Sequence, residues 1–249
     1  MKKIIVLLLG MLALLTFGCG QTSKVERIQV ASYPNWVQIK VGTQAAFSVP
    51  PDLTVQTEAD RMALQKNPKL DALAKYWVEQ QAKIAAADGC VIVQNGQMAP
   101  VPWEDPGHYA WVEFKTLPSK EVLPRYGQNL GLTGNEIKDF GQITQKTLEA
   151  TANKDLPAGY VIRFSNWQPM ESVIVNGVET LHTAFTVEIL LQGNSKCALH
   201  GERWTLFNRD RIHTLMVVWN QKDDAYWQQS NMDLKKIITT LEITPSEKK

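Results

Sequence analysis

Apolar positions alternate with polar ones in some stretches of the chain and recur every three to four residues in others, which separates strands from helices. Residues 30–40 place Val37 and Ile39 ahead of Val41 at a two-residue period and predict a strand. Residues 44–55 hold Ala46-Phe47-Ser48-Val49-Pro50-Pro51, a second strand that the proline pair ends or confines to an edge. A helical segment follows. Thr57 and Asp60 stand at capping-box spacing. Asn67-Pro68 reads as an N-cap with proline in the first helical position, and Leu70, Leu73, Trp77 and Ile84 then recur near the helical period. Gly89 is placed for a left-handed cap after Ala85-Ala86-Ala87-Asp88.

Residues 90–93 and 109–116 read as strands on either side of a proline-rich loop that carries Trp103. Thr133 and Glu136 form a second capping box, ahead of a helix with Ile137, Phe140, Thr144 and Leu148 on one face. From Tyr160 the pattern is an antiparallel meander. Asn176-Gly177 is a strong hairpin signal. Phe185, Val187, Ile189 and Leu191 share one strand face, and His182, Ala184, Thr186 and Glu188 share the other, which predicts a sheet with one covered and one wet face. Strands at 203–207 and 212–219 turn at 208–211. Ser230 and Asp233 form a third capping box before a last helix with Leu234, Ile237 and Ile238. The fold class expected is α+β: a single domain with an antiparallel sheet covered by helices.

The beginning of the chain carries a separate pattern. Lys2 and Lys3 precede residues 4–15, which are apolar except for Gly10. That run is shorter than the roughly 20 residues a helix needs to cross a bilayer and fits an export signal. The residues that follow, Leu15-Thr16-Phe17-Gly18-Cys19-Gly20, resemble the lipobox of bacterial lipoproteins. The resemblance implies that Cys19 is acylated, as with palmitate, and becomes the first mature residue. Ordinary cleavage after Gly20 and an uncleaved anchor remain open alternatives. The chain then divides into a signal peptide at 1–18, a lipid-anchored tether at 19–29, a globular domain at 30–244 and a frayed tail at 245–249. The expected location is a bacterial cell envelope, anchored to a membrane and facing the periplasm or exterior.

Composition narrows the function. Of 249 residues, 44% are apolar and 20% charged, which excludes a disordered or collagen-like chain. Lys plus Arg number 26 against 25 Asp plus Glu, and loss of Lys2 and Lys3 with the signal leaves a charge near −1. This balance argues against a nucleic-acid partner. With Cys19 lipidated, Cys90 and Cys197 remain as a candidate disulfide in an oxidising compartment, with two buried free thiols as the alternative.

The strand ending in Val49-Pro50-Pro51, the mid-chain helix, the long meander and the closing Asp233-Leu234-Lys235-Lys236-Ile237-Ile238-Thr239-Thr240-Leu241-Glu242-Ile243 together resemble the PsbP-like superfamily over residues 44–244. The helical segment at 58–87 stands as an insertion in that pattern. The resemblance implies an α-β-α sandwich and a binding or accessory role, with no shared catalytic motif to carry over.

Signatures of catalysis are missing from the sequence. It has no Gly-x-Ser-x-Gly elbow, no phosphate-cradling loop, no Cys-x2-Cys and no His-Glu-x2-His. His108, His182, His200 and His213 lack the spacing of a local metal clamp. His182, His200 and His213 share the meander, where Glu188 or Glu202 are candidate companions for zinc, but scattered surface histidines are the favoured reading and no metal or cofactor is assigned. Glu104-Asp105 and Asp223-Asp224 are adjacent carboxylates of the kind found in loops and helix starts. Arg209 and Arg211 flank Asp210 at a predicted turn, where solvated charges are expected. Trp103 is the best candidate for a recognition surface, ahead of Trp36 and Trp227. The expectation is a non-catalytic envelope lipoprotein that binds a protein or small molecule, with no catalytic residue assigned. The alternative is an envelope hydrolase of cell-wall or glycan material with dispersed catalytic residues.

Overall fold

Proline decides the first architectural step. The computed structural model describes residues 30–95, 101–103, 108–120, 123–229 and 231–244. Strands β1 (Val37–Val41) and β2 (Ala45–Val49) form a hairpin, and Pro50-Pro51 then ends β2 because proline offers no ladder N–H. The chain crosses to a second sheet as β3 (Leu53–Gln56). The single strand expected at 44–55 is therefore two strands in different sheets.

The helical segment is also divided. Thr57 caps α1 (Glu58–Gln65) with the full capping box expected from its sequence. Helix α2 (Ala72–Ala86) starts at Asp71, whose side chain accepts from the Ala74 N–H. Asn67 does not cap it. Its side chain instead accepts from the Lys69 N–H and closes the turn between the two helices. Gly89 has φ +69°, the left-handed conformation expected of it.

Strands β4 (Cys90–Asn95) and β5 (Ala110–Pro118) lead to α3 (Gly134–Ala152), capped by Thr133 and Glu136. The meander follows as β6 (Tyr160–Ser165), β7 (Glu171–Val175), β8 (Val178–Leu191), β9 (Asn194–Asn208) and β10 (Arg211–Asn220). Asn176 and Gly177 turn β7 into β8 with φ +52° and +78°, as a tight hairpin requires. A 3-10 turn (Gln221–Asp223) enters the short α4 (Asp224–Trp227). The last helical element is a 3-10 helix (Leu234–Thr240) started by the Asp233 side chain, not an α-helix, and β11 (Glu242–Ile243) follows. Ser230 lies outside the described residues.

All strand pairs are antiparallel. The main sheet has the order β3-β4-β5-β10-β9-β8-β6, with β7 also on β8, and the smaller sheet runs β1-β2-β11. The class is α+β. One face of the main sheet packs Phe185, Ile189, Leu199 and Val218 against Leu73 and Trp77 of α2, with Leu148 of α3 alongside. The other face packs Phe114, Trp204, Leu215 and Val217 against Phe47 of the small sheet and Ile237 of the 3-10 helix. The second outer layer is therefore a sheet plus a 3-10 helix. The wet face expected of β8 is only half wet. Thr186 is buried, and His182, Ala184 and Glu188 are half-buried beside those outer elements.

Candidate functional site

Polar side chains gather on the half-covered face of β8, β9 and β10. Antiparallel register sets His182 opposite Trp204, Ala184 opposite Glu202 and Thr186 opposite His200. Trp219 of β10 lies opposite His200. Period-two alternation puts His182, Glu202 and His200 on this face. The His182 ring stacks on Trp204 at 5.2 Å and 26°, and the His200 ring leans on Trp219 at 5.4 Å.

Glu202 is the centre. His182 Nε2 donates to its Oε2 at 2.5 Å, and Lys235 Nζ from the 3-10 helix reaches its Oε1 at 2.6 Å. The second nitrogen of His182 lies 3.6 Å from Glu171 Oε1 on β7. Lys235 also sits over the Trp219 ring at 5.8 Å, a cation–π position. Glu202 is only 5% exposed. Burial pushes its carboxyl pKa up, but the hydrogen bonds from His182 and Lys235 and the Lys235 charge outweigh burial and hold it below the usual carboxylate range.

The adjacent carboxylates extend the network. Asn220 ends β10, and its side chain accepts from the Lys222 N–H to start the 3-10 turn. Successive residues on a helical turn point about 100° apart, so Asp223 and Asp224 serve different histidines. His108 Nδ1 donates to Asp223 Oδ1 at 3.1 Å, and His200 Nε2 donates to Asp224 Oδ2 at 2.9 Å. The Tyr109 N–H donates to the other Asp223 oxygen, and Trp219 Nε1 donates to Asp224 Oδ1 at 2.8 Å. His108 stacks on Tyr226 at 3.6 Å and 14°. The Tyr226 hydroxyl donates to Asp52, and burial together with that carboxylate raises its pKa to about 12.

Three of the four histidines thus hold a carboxylate partner, and each keeps part of its ring open to solvent. The arrangement offers oriented imidazole donors and acceptors on a tryptophan floor. His213 differs. It is buried beside Phe114, shares a hydrogen bond with Thr116, and has its pKa pushed down to about 4 by burial and then by the Arg211 charge. Glu188 belongs to Arg163 at 2.8 Å and not to a histidine. The zinc constellation considered from sequence is therefore dispersed over separate pairs. Among the described residues no group of three His, Cys, Asp or Glu side chains is arranged to hold a metal ion.

The candidate disulfide is corrected. Cys90 and Cys197 are free thiols. They lie on β4 and β9 with β5 and β10 between, a separation of about 14 Å at ~4.8 Å per strand, beyond the ~7 Å Cα limit for a bridge. Burial raises the pKa of both thiols, that of Cys197 to about 12. Trp103 is half-buried, edge-on to Trp77 at 5.8 Å, with Lys196 Nζ 5.5 Å from its ring. Trp36 donates its Nε1–H to the Asn231 carbonyl, and Trp227 is core. Arg209 and Arg211 flank the β9–β10 turn, where Asp210 lies 3.9 Å from Arg211. Cys19, Glu104 and Asp105 lie outside the described residues. A depression of about 610 Å³ between β3 and α1, lined by Gln56, Asp60 and Leu64 among others, lies four strands from β9.

Sequence reading missed the pairing of Asp223 with His108 and the part played by Lys235. The first pair is 115 residues apart along the chain, and no local pattern encodes it.

No family model matches the chain, and no curated protein matches it. Among solved structures it is similar to the solution structure of cyanobacterial PsbP (CyanoP) from Synechocystis sp. PCC 6803. That similarity has 12% identity over 92% of this chain and 99% of that chain, at a TM-score of 0.43.

Proposed function

We propose that this protein is a non-catalytic binding or accessory module of a bacterial cell envelope, held to the membrane through lipid on Cys19. The observation that carries the binding role is the surface of His182, Glu202, Lys235, His200 and Asp224. Its polar groups are paired with one another and fixed by hydrogen bonds on a sheet floored by Trp204 and Trp219. Preorganised donors on a rigid aromatic floor suit recognition. The leader of Lys2, Lys3 and the apolar run ending at Gly18-Cys19 supports the anchor. Among the described residues no helix is long and apolar enough to cross a membrane.

The test is photo-crosslinking in the native envelope from a probe at Ala184, beside Glu202, with fractionation of a Cys19→Ser variant alongside. The expected result is a discrete crosslinked species that is lost in His182→Ala and His200→Ala, with the Cys19→Ser chain released from the membrane fraction. A crosslinking pattern indifferent to both histidines would refute the binding surface, and a membrane-bound Cys19→Ser chain would refute the anchor.

One observation favours the hydrolase reading. Asp223, only 7% exposed, holds Nδ1 of His108 and leaves Nε2 available, the orientation of a general base. Turnover of peptidoglycan or glycan fragments that falls at least a hundredfold in His108→Gln would establish it.

A further inference from the structure

The opposite face of the main sheet carries a second polar group that the histidine surface does not use. Register sets Glu113 of β5 opposite Met216 of β10, Met216 opposite Arg203 of β9, and Arg203 opposite Thr183 of β8. The next row is Lys115, Thr214 and Thr205. These side chains share the face of Trp111, Val218 and Phe185, which packs on α2. A polar band therefore crosses four strands beside apolar side chains of the same face.

The band is not self-satisfied. Glu113 is 4% exposed, and its carboxylate is taken by Lys115 Nζ at 2.5 Å. Arg203 feels the same Glu113 charge but makes no ion pair with it, so among the described residues the band holds two cations for one anion. Arg203 Nε is buried without a hydrogen-bond partner among the described residues. Thr205, 1% exposed, likewise has an unpartnered hydroxyl oxygen. Burying such groups costs free energy unless a partner arrives. The partner that completes this set is an oxyanion, which accepts from the guanidinium and the hydroxyl and neutralises the excess charge.

The flank of the band is apolar. Leu117 of β5, Ile212 of β10 and Phe207 of β9 are cross-strand neighbours on the same face. Leu117 is 46% exposed, Ile212 and Phe207 are half-buried, and Phe207 leans edge-on against Phe140 of α3 at 6.2 Å. Lys115 and Arg203 are both partly open to solvent, so the band is approached along these two side chains. Arg203 Nε and Thr205 Oγ1 are covered, and an incoming head must part their neighbours.

We propose that this band is a binding site for an anionic amphiphile, with its oxyanion head on Arg203 and Thr205 and its apolar body along Phe207, Ile212 and Leu117. The site is independent of the histidine surface on the other side of the sheet.

The experiment is calorimetric titration of the full-length chain, held in a nonionic amphipol, with octyl phosphate, octanol and inorganic phosphate. Octyl phosphate is expected to bind at least about tenfold more tightly than either of the others, because only it satisfies both halves of the site. Arg203→Met is expected to lose at least about tenfold for octyl phosphate and to bring it down to the level of octanol. Thr205→Val, which keeps the side-chain shape, and Leu117→Ser, at an exposed position, are each expected to weaken it severalfold and keep the test valid if Arg203→Met does not fold. Equal binding of octyl phosphate and octanol, or no loss in Arg203→Met and Thr205→Val, overturns the oxyanion head. Equal binding of octyl phosphate and inorganic phosphate overturns the amphiphile.

Discussion

His182 and Glu202 meet across the β8–β9 ladder with Nε2 and Oε2 2.5 Å apart, although neither is the other's register partner. The contact is diagonal. Trp204 lies beneath the imidazole, and Lys235 reaches the far carboxylate oxygen from the 3-10 helix. The pair therefore ties an outer layer to the sheet as well as two strands to each other.

Replacing Glu202 by Gln keeps the volume and removes the charge. The expected cost is about 1–3 kcal/mol, since the hydrogen bond from His182 and the ion pair with Lys235 are weakened in a buried place. Because the folded-state pKa of Glu202 is held below its ordinary value, its contribution is fully present above the unfolded carboxylate range. It is lost as pH falls through the folded value. Urea midpoints between pH 7 and pH 3 should drop less steeply in Glu202→Gln than in the parent chain.

His213 acts at higher pH. Its folded pKa of about 4 lies below the ordinary 6.5, so the unfolded chain binds the proton first and stability declines as pH falls from 6.5 toward 4. The shift corresponds to roughly 3 kcal/mol. His213→Gln is expected to lower stability at pH 7 through loss of packing against Phe114, yet to flatten the slope between pH 6.5 and 4. An unchanged slope in the denaturation series would show that another group titrates there.

Gly201 lies under Phe185, its register partner on β8. A Cβ at this position would stand 2.2 Å from Phe185 Cε2, and that ring is itself stacked on Trp167 at 4.9 Å. Gly201→Ala is expected to cost about 2 kcal/mol from overpacking. Phe185→Leu added to it should recover part of the loss, a coupling that a double-mutant cycle on thermal midpoints would reveal.

Asn153 guards an edge. Strand β6 ends the main sheet, and the Asn153 side-chain amide donates to the Ile162 carbonyl at 2.6 Å and accepts from the Ile162 N–H at 2.9 Å. It occupies the place a further strand would take, next to an exposed Val161. Asn153→Ala is expected to cost about 1–2 kcal/mol and to promote association through the freed edge. Sedimentation velocity at rising concentration is the measurement, and a strictly unchanged distribution would remove the edge role.

Native alkylation tests the cysteines. With Cys197 pushed to about 12 by burial, its thiolate is scarce at pH 8 and iodoacetamide should modify it at least tenfold more slowly than in urea. Non-reducing mass analysis should show no Cys90–Cys197 crosslink.

Local signals in the sequence were legible where a few adjacent residues settle the energy. The capping boxes at Thr57 and Thr133, the Asn176-Gly177 hairpin and the left-handed Gly89 are each decided by short-range hydrogen bonds or backbone sterics. Alternation along β8 likewise marked Phe185, Val187 and Ile189 as buried. Reading failed where tertiary packing overrides propensity. The run with Leu234, Ile237 and Ile238 has a helical period but folds as a 3-10 helix packed on β2 and β10, and Asn67-Pro68 closes a turn while Asp71 takes the cap.

By itself the sequence determined the α+β class and most of the elements, because composition and short periods carry that information. Only the tertiary structure decided that Cys90 and Cys197 lie on strands with two others between them in the sheet order. It alone decided that Asp223 and Asp224 divide between His108 and His200, and that Glu113, Arg203 and Thr205 align across one face. These relationships depend on strand order and register. Both arise when distant segments bury a common core, and neither is written in the residues next to any one of these side chains.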